Sequence, residues 1–193
     1  MLRSLYDWTM RLAANKRAPS ALFGVSFVES SFFPIPPDIM LIPMILADRA
    51  KAWWFATIAT VGSVLGGVFG YIIGYFLFEA LGRPMLDLYG YEEKFEAFAS
   101  QYNDYGAWIV FFFGVTPFPY KVITIASGAT ALNFFVFLAA SVASRGLRFF
   151  IVAALLYWFG PPIREFIEKR LGLVFTVFMV LLVGGFVAIK YVL

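Results

Sequence analysis

The sequence predicts an all-α integral membrane protein with an inverted repeat: two re-entrant helical hairpins, three full transmembrane helices and flanking amphipathic helices. Of its 193 residues, 62% are hydrophobic and only 14% are charged, whereas soluble domains average about 45–50% apolar residues. Uncharged runs at 53–78 and 171–189 have the length of roughly 20 residues that a helix needs to cross a bilayer. They are apolar on every face, which favours helices over the alternating strands of an outer-membrane barrel.

The first half begins with an amphipathic stretch, 2–18, which we expect to lie on the membrane surface. A hydrophobic segment at 20–47 follows, and the helix breakers Pro34, Pro36 and Pro37 interrupt it. Each of its arms has about 10–14 residues, too few to cross a hydrocarbon core of about 30 Å. We therefore predict a re-entrant hairpin here, and after it the transmembrane helix at 53–78.

The second half repeats this order of elements. An amphipathic stretch at 84–104 precedes a broken hydrophobic segment at 107–128, in which Pro117 and Pro119 are the breakers. A transmembrane helix at 133–159 comes next. The order indicates an internal repeat within a single membrane domain, and the alternative is the chance recurrence of a short proline motif.

The two breaks end in equivalent charges of opposite sign, Asp38 and Lys121. One full span separates the hairpins, so the second enters from the opposite face and the repeat is inverted. Lys121 is then expected to face Asp38 near the middle of the membrane. Helix amino ends that point into this region favour anionic groups, which suggests a lipid phosphate more than a metal cation or a sugar.

Basic residues predict the orientation of the chain. Nine lysines and arginines flank the segments on the side that holds the N-terminus, and three flank them on the other side. This bias places the N-terminus in the cytoplasm, with the third span at 171–189 leaving the C-terminus outside. We expect a multi-pass protein of the bacterial cytoplasmic membrane.

Four glycines at four-residue spacing form one face of the first span: Gly62, Gly66, Gly70 and Gly74. Another helix can approach such a face closely, so helix packing is the simplest interpretation. The alternatives are a smooth wall along which a substrate moves and an oligomer contact.

Arg145 and Arg148 lie three residues apart in the 133–159 span, which puts them on one helical face. An arginine at the centre of a membrane costs at least about 2.5–3.5 kcal/mol, so each needs a partner or a function. The candidate partners are Glu29 and Asp38 on the first hairpin. Either they form structural ion pairs or they bind substrate and coupling protons.

The chain has no cysteine and no histidine, so thiolate, Ser-His and histidine-metal chemistry are absent. No pair of nucleophile and base is visible, and we expect no enzyme, cofactor or metal site. The net charge of +3 is modest and its basic residues are spread out, so no nucleic-acid partner is expected. Proton coupling would have to use the carboxylates.

Several of these motifs, in this order, resemble the DedA family, also called the VTT-domain or SNARE-associated Golgi-protein group, and are closest to its YqaA-like branch. The likeness covers roughly residues 20–160. The residues that show the likeness are Glu29, the Phe-Phe-Pro-Ile-Pro-Pro-Asp38 motif that comes after two serines, the glycine-rich span, and Pro117-Phe-Pro-Tyr-Lys121 leading to Ala-Ser-Gly128.

The resemblance implies a protein with two re-entrant helices that moves phospholipid or polyprenyl phosphate between leaflets, in some members with proton coupling. It implies that Glu29 and Asp38 are the family's membrane acids and that Lys121 replaces one of its membrane-embedded arginines. An upstream basic residue of the family is missing, with Val115 near its place. Lysine lacks the bidentate fork of arginine, and Arg145 and Arg148 are candidates to compensate.

The leading hypothesis is a lipid translocase, either a flippase or a scramblase. In it, Glu29 and Asp38 exchange protons, while Lys121 and Arg145 neutralise the phosphate of an anionic or phosphate-bearing membrane lipid. The alternatives are a small proton-coupled ion or drug transporter that uses the same acids, and a membrane scaffold organised by the glycine face.

Overall fold

The computed structural model describes residues 17–31, 36–116 and 119–169, and within these ranges the chain is helical, without strands. The elements are α1 (Ala18–Ser31), α2 (Asp38–Ala47), a 3₁₀ turn (Arg49–Lys51), α3 (Ala52–Leu77), a π-helical turn (Phe78–Gly82), α4 (Arg83–Tyr89), α5 (Glu92–Val115), α6 (Tyr120–Ala129) and α7 (Phe134–Lys169). The predicted all-α class is confirmed.

Two helical stretches are long and apolar enough to cross a membrane, Arg49–Tyr89 and Phe134–Gly160. They include the span predicted at 53–78 and all but the first residue of the span predicted at 133–159. The third predicted span, 171–189, lies outside the described residues. The amphipathic stretch predicted at 2–18 lies almost wholly outside them.

The first break separates two short helices, as the proline cluster predicts. Helix α1 has 14 residues and α2 has 10. Pro37 precedes the first residue of α2 with φ −64°, because the proline ring holds φ near the helical value. Asp38 occupies the first turn of α2, where the partial positive charge of the helix end favours a carboxylate.

The boundary predicted in the second half is wrong. Helix α5 runs unbroken from Glu92 to Val115, so it joins most of the amphipathic stretch at 84–104 to the first arm of the segment at 107–128. The chain breaks earlier, at Gly90, whose φ of 68° ends α4. No proline lies between Glu92 and Val115, so a change in polarity alone does not interrupt the helix.

The helices pack in a pattern that repeats between the two halves. Helix α1 lies along α3 and α5 lies along α7. The short helix after each break crosses to the other half, so α2 packs on α7 and α6 packs on α3, while α3 and α7 contact each other. This exchange of the short helices supports an internal repeat. Its inversion, and the re-entrant course of the breaks, stay predictions.

The glycine face of α3 is filled from within the chain. A Cβ at Gly62 or Gly66 would meet the carbonyl oxygens of Phe23 or Phe27 in α1. The other two glycines meet α6: a Cβ at Gly70 or Gly74 would overlap Thr124 or the Ile125 carbonyl. Since α1 and α6 cover this face, an oligomer contact would need a different surface.

Helix α7 is kinked at Phe159, which has φ −109° and ψ 15°. Pro161 follows, and a proline has no N–H to donate to the carbonyl one turn earlier, which belongs to Tyr157. The Arg49 guanidinium donates a hydrogen bond to that Tyr157 carbonyl oxygen. The 3₁₀ turn before α3 therefore satisfies the carbonyl that the proline leaves free.

Replacing Ala131 with glycine is expected to stabilise the fold. Ala131 has φ 51° just after the end of α6, a left-handed conformation that is strained for a residue with a Cβ and easy for glycine. We expect a gain of about 1 kcal/mol, or about 2–4 °C in thermal unfolding of the purified protein in mild detergent. Ala129→Gly is the control, and it should destabilise because Ala129 is still helical. Equal losses in both variants would contradict the assignment of strain to Ala131.

Candidate functional site

Two arginines of α7 occupy the space between the two breaks. The Arg145 side chain is only 1% exposed and that of Arg148 is 18% exposed. They stand one turn apart on the same face of α7, as their spacing predicts. A buried guanidinium requires hydrogen-bond partners, and the partners define the site.

Arg145 donates to three different helices. Its Nη2 lies 3.2 Å from Glu29 Oε2 on α1, and its Nε lies 2.6 Å from Ser63 Oγ on α3. Its Nη1 lies 3.4 Å from the carbonyl oxygen of Gly114, near the end of α5. Arg145 therefore ties α1, α3 and α5 to α7 through one side chain.

Two aromatic rings cover the Arg145 guanidinium. Its central carbon lies 4.9 Å from the Tyr120 ring centroid and 4.7 Å from that of Phe149, both within the range of a cation–π interaction. Tyr120 is fully buried, and its hydroxyl donates to Ser141 Oγ at 2.5 Å. The rings place apolar surface beside the guanidinium, which strengthens its electrostatic interactions.

Arg148 repeats the arrangement at the second acid. Its Nη2 lies 2.5 Å from Asp38 Oδ2, at the start of α2, and its Nη1 lies 2.7 Å from the Thr116 carbonyl oxygen. The second oxygen, Asp38 Oδ1, is buried and accepts no hydrogen bond within the described part of the chain. This pair is less buried than Arg145–Glu29, with both side chains 18% exposed.

Serine hydroxyls support the Glu29 end of the network. Ser30 Oγ lies 3.0 Å from Glu29 Oε2 and 2.6 Å from Ser63 Oγ. Ser31 donates to the Gly66 carbonyl at 3.0 Å. These hydroxyls connect α1 to α3 and supply the polar partners that a partly buried carboxylate needs.

The network joins both breaks. Its acids flank the first break, with Glu29 near the end of α1 and Asp38 at the start of α2. Its carbonyls, from Gly114 and Thr116, lie at the carboxyl end of α5 before the second break, where helix carbonyls lack partners and the dipole attracts cations. Arg145 and Arg148 therefore hold the two broken segments together, and their two positive charges balance the two acids.

The arginines meet the acids that the sequence analysis named as their partners, but Lys121 forms no ion pair with Asp38. Asp38 pairs with Arg148 because α2 packs on α7, whereas Lys121 lies in α6, which packs on α3. Lys121 is partly buried in the first turn of α6 and forms no ion pair within the described residues. The other four charges of the predicted site are therefore joined in two ion pairs, and Lys121 takes part in neither.

The prolines expected to break the segments are placed only in part. Pro37 and Pro119 directly precede α2 and α6, and Pro36 lies one residue before Pro37. Pro34 and Pro117 lie outside the described residues.

Sequence reasoning missed Ser63, Ser30 and the Gly114 carbonyl, and it noticed Tyr120 only as part of a motif. A hydroxyl directly after the first glycine of the uncharged glycine-rich span was the available signal for Ser63. In the described part of the chain no group of three metal-ligating side chains is present. The two arginines and two acids can exchange ion-pair partners, and the carboxylates can bind protons.

Comparisons with known proteins give related chains. A family profile described as the VTT domain matches residues 35–158. An uncharacterized protein of Haemophilus influenzae is 34% identical over 187 residues, covering 97% of each chain. An uncharacterized protein of Histophilus somni is 36% identical over 169 residues, covering 86% of this chain and 88% of its own. No solved structure matches.

Proposed function

Since this chain belongs to the VTT-domain family, also called the DedA family, whose members are membrane proteins generally linked to transport, we propose that it moves a phosphate-bearing lipid between leaflets. The observation that carries this proposal is the bridging of both breaks by Arg145 and Arg148. We further propose the cytoplasmic membrane as its location, with the N-terminus in the cytoplasm.

Ion pairs that are largely buried, such as these two, contribute little net free energy to folding. Desolvating the charges offsets much of their attraction, and well-packed apolar side chains often do as well or better. The pairs are also reversible. Protonating Glu29 or Asp38 would release the positive charge of its arginine, and a guanidinium binds phosphate as readily as carboxylate, through two parallel hydrogen bonds. Such an exchange would couple protons to lipid movement.

Besides the two arginines, Lys121 favours a substrate that carries a phosphate. It lies at the amino end of α6, where the helix dipole also favours an anion. Its ammonium has no carboxylate partner in the described part of the chain, so binding an anion there would not first require breaking an ion pair. A phosphate moving between the breaks could therefore pass from Lys121 to the arginines of α7.

Lys121→Ala is expected to lower the rate of lipid exchange by about tenfold or more, since a charge-assisted hydrogen bond contributes about 1.5–3 kcal/mol. The purified protein is reconstituted in liposomes, and leaflet exchange of a labelled phospholipid and a labelled polyprenyl phosphate is followed with and without a pH gradient. Lys51→Ala is the control, because the Lys51 side chain is 62% exposed and forms a surface ion pair with Asp48.

The outcomes separate the hypotheses. Exchange that falls in Lys121→Ala and not in Lys51→Ala supports the proposal, and dependence on the gradient distinguishes a coupled flippase from a scramblase. Full exchange in Lys121→Ala would remove this residue from the mechanism. If the unaltered protein exchanges neither lipid under any gradient, an ion or drug transporter or a scaffold is favoured instead.

A further inference from the structure

A groove of about 250 Å³ lies beside the carboxyl end of α3, and its lining includes no residue of the arginine network. One wall comes from the end of α3 and the π-helical turn, with Tyr75 and Glu79, and continues to Arg83 in α4. The opposite wall is the start of α5, with Glu92 and Glu96. The end of α6 and the turn after it, residues 128–131, complete the lining.

The length of α3 places the groove at the level of lipid headgroups when α3 spans a bilayer. Helix α3 has 26 residues, which span about 39 Å at 1.5 Å per residue. Its first turn carries Trp53 and Trp54, 39% and 58% exposed, as an interfacial belt requires. The hydrocarbon core is about 30 Å thick and the whole bilayer about 40–45 Å. If α3 begins at one headgroup region, the groove opens in the other.

The groove walls are held in place by aromatic packing and by an irregular turn. The rings of Phe78 and Phe95 stack with centroids 4.3 Å apart and join the π-helical turn to α5. A single π-helical turn within a long helix is rare and often occurs at a functional site. This turn includes Glu79, which forms a 3.0 Å ion pair with Arg83 across the start of α4.

The charges in the groove are unequal. Three carboxylates line it, those of Glu79, Glu92 and Glu96, beside one guanidinium, that of Arg83, which pairs with Glu79. A hydrogen bond with Asp87, which follows Leu86 of the lining, raises the pKa of Glu92. The carboxyl end of α6 adds partial negative charge from its carbonyls. The lining therefore favours a ligand with a positive group and a smaller negative one.

We propose that this groove binds the headgroup of an aminophospholipid, with its primary ammonium against Glu92 and Glu96 and its phosphate against Arg83. A primary ammonium has three N–H donors, which suit carboxylates. The volume lies below the roughly 300–1,000 Å³ of sites for drug-sized ligands, so it suits a headgroup whose acyl chains stay in the bilayer beside α3. The inference rests on the proposed function and narrows its substrate to an amine-bearing phospholipid at this point of entry.

Binding is measured directly, without transport. The full chain in mild detergent is titrated with dihexanoyl phosphatidylethanolamine and with dihexanoyl phosphatidylglycerol of the same chain length, and bound lipid is counted by native mass spectrometry. We expect at least about tenfold tighter binding of the amine-bearing lipid. The Glu92→Gln/Glu96→Gln double variant should lose this preference. Glu93→Gln is the control, since Glu93 lies on the same turn outside the groove lining.

Each result decides one proposal. Loss of preference in the double variant alone supports the groove as the headgroup site. Equal binding of both lipids by the unaltered chain overturns the headgroup site, and so does an unchanged preference in the double variant. Saturation of the groove by Mg²⁺ in the absence of lipid overturns it as well. Leaflet exchange that persists in those cases leaves the proposed function standing. Selective binding without any lipid exchange would overturn the proposed function and retain the headgroup site.

Discussion

Arg145→Gln should lower the free energy of unfolding by about 3–5 kcal/mol, because it leaves the Glu29 carboxylate partly buried without its cation. The Glu29 side chain is 13% exposed, so water cannot replace the guanidinium fully. The same substitution removes donors from Ser63 Oγ and from the Gly114 carbonyl oxygen. Unfolding in mild detergent, followed by circular dichroism against denaturant, measures the loss.

An exposed ion pair is the control for this effect. Lys51→Gln removes the cation from a pair whose side chains are 62% and 38% exposed, and such pairs contribute roughly 0–1 kcal/mol. Glu29→Gln combined with Arg145→Gln should destabilise less than the sum of the two single variants, because neither charge is then left alone. A loss below about 1 kcal/mol in Arg145→Gln would show that water reaches the Glu29 carboxylate.

Gly66→Ala should destabilise the protein by about 3 kcal/mol or more, beyond the usual cost of overpacking. A Cβ at this position would overlap the carbonyl oxygen of Phe27. Because that atom belongs to the backbone of α1, no rotamer change can relieve the overlap, and α1 has to move away from α3. The shift would also draw Ser30 and Glu29 away from Arg145, so lipid exchange should fall together with stability.

Gly24→Ala provides the comparison on α1 itself. No atom lies within 4 Å of a Cβ built at Gly24, and alanine is the better helix former by about 1 kcal/mol. We expect equal or higher stability for this variant in the same denaturant titration. If Gly66→Ala behaved like Gly24→Ala, the close approach of α1 to α3 would be wrong.

The partners of the arginines illustrate how far sequence reasoning reaches. The cost of an unpaired charge in an apolar segment requires acids near Arg145 and Arg148, and only a few acids lie in hydrophobic segments, so Glu29 and Asp38 could be named in advance. Which acid meets which arginine could not be named. The contacts of Asp38 depend on how α2 packs on α7, and the contacts of Lys121 depend on how α6 packs on α3. Nothing local to either residue encodes that packing.

The predicted helix boundaries also separate what local sequence can predict from what it cannot. Prolines and glycines act on their own backbone, so the break before α2 could be predicted within a few residues. The unbroken course of α5 through 104–107 could not be anticipated from polarity, because a helix without proline continues whether or not its surroundings change from water to lipid. The single glycine there, Gly106, costs a helix only about 1 kcal/mol.

The sequence by itself determined the helical class, the two long apolar helices, the positions of the two proline breaks and the need to neutralise the buried arginines, because each follows from composition, local backbone preference or the cost of burying charge. Only the tertiary structure decided that α1 and α6 cover the glycine face, that Ser63, Tyr120 and the Gly114 carbonyl complete the arginine network, and that a groove forms between α3 and α5. Those features arise where residues distant in the chain meet, and the order in which helices pack depends on many weak contacts at once.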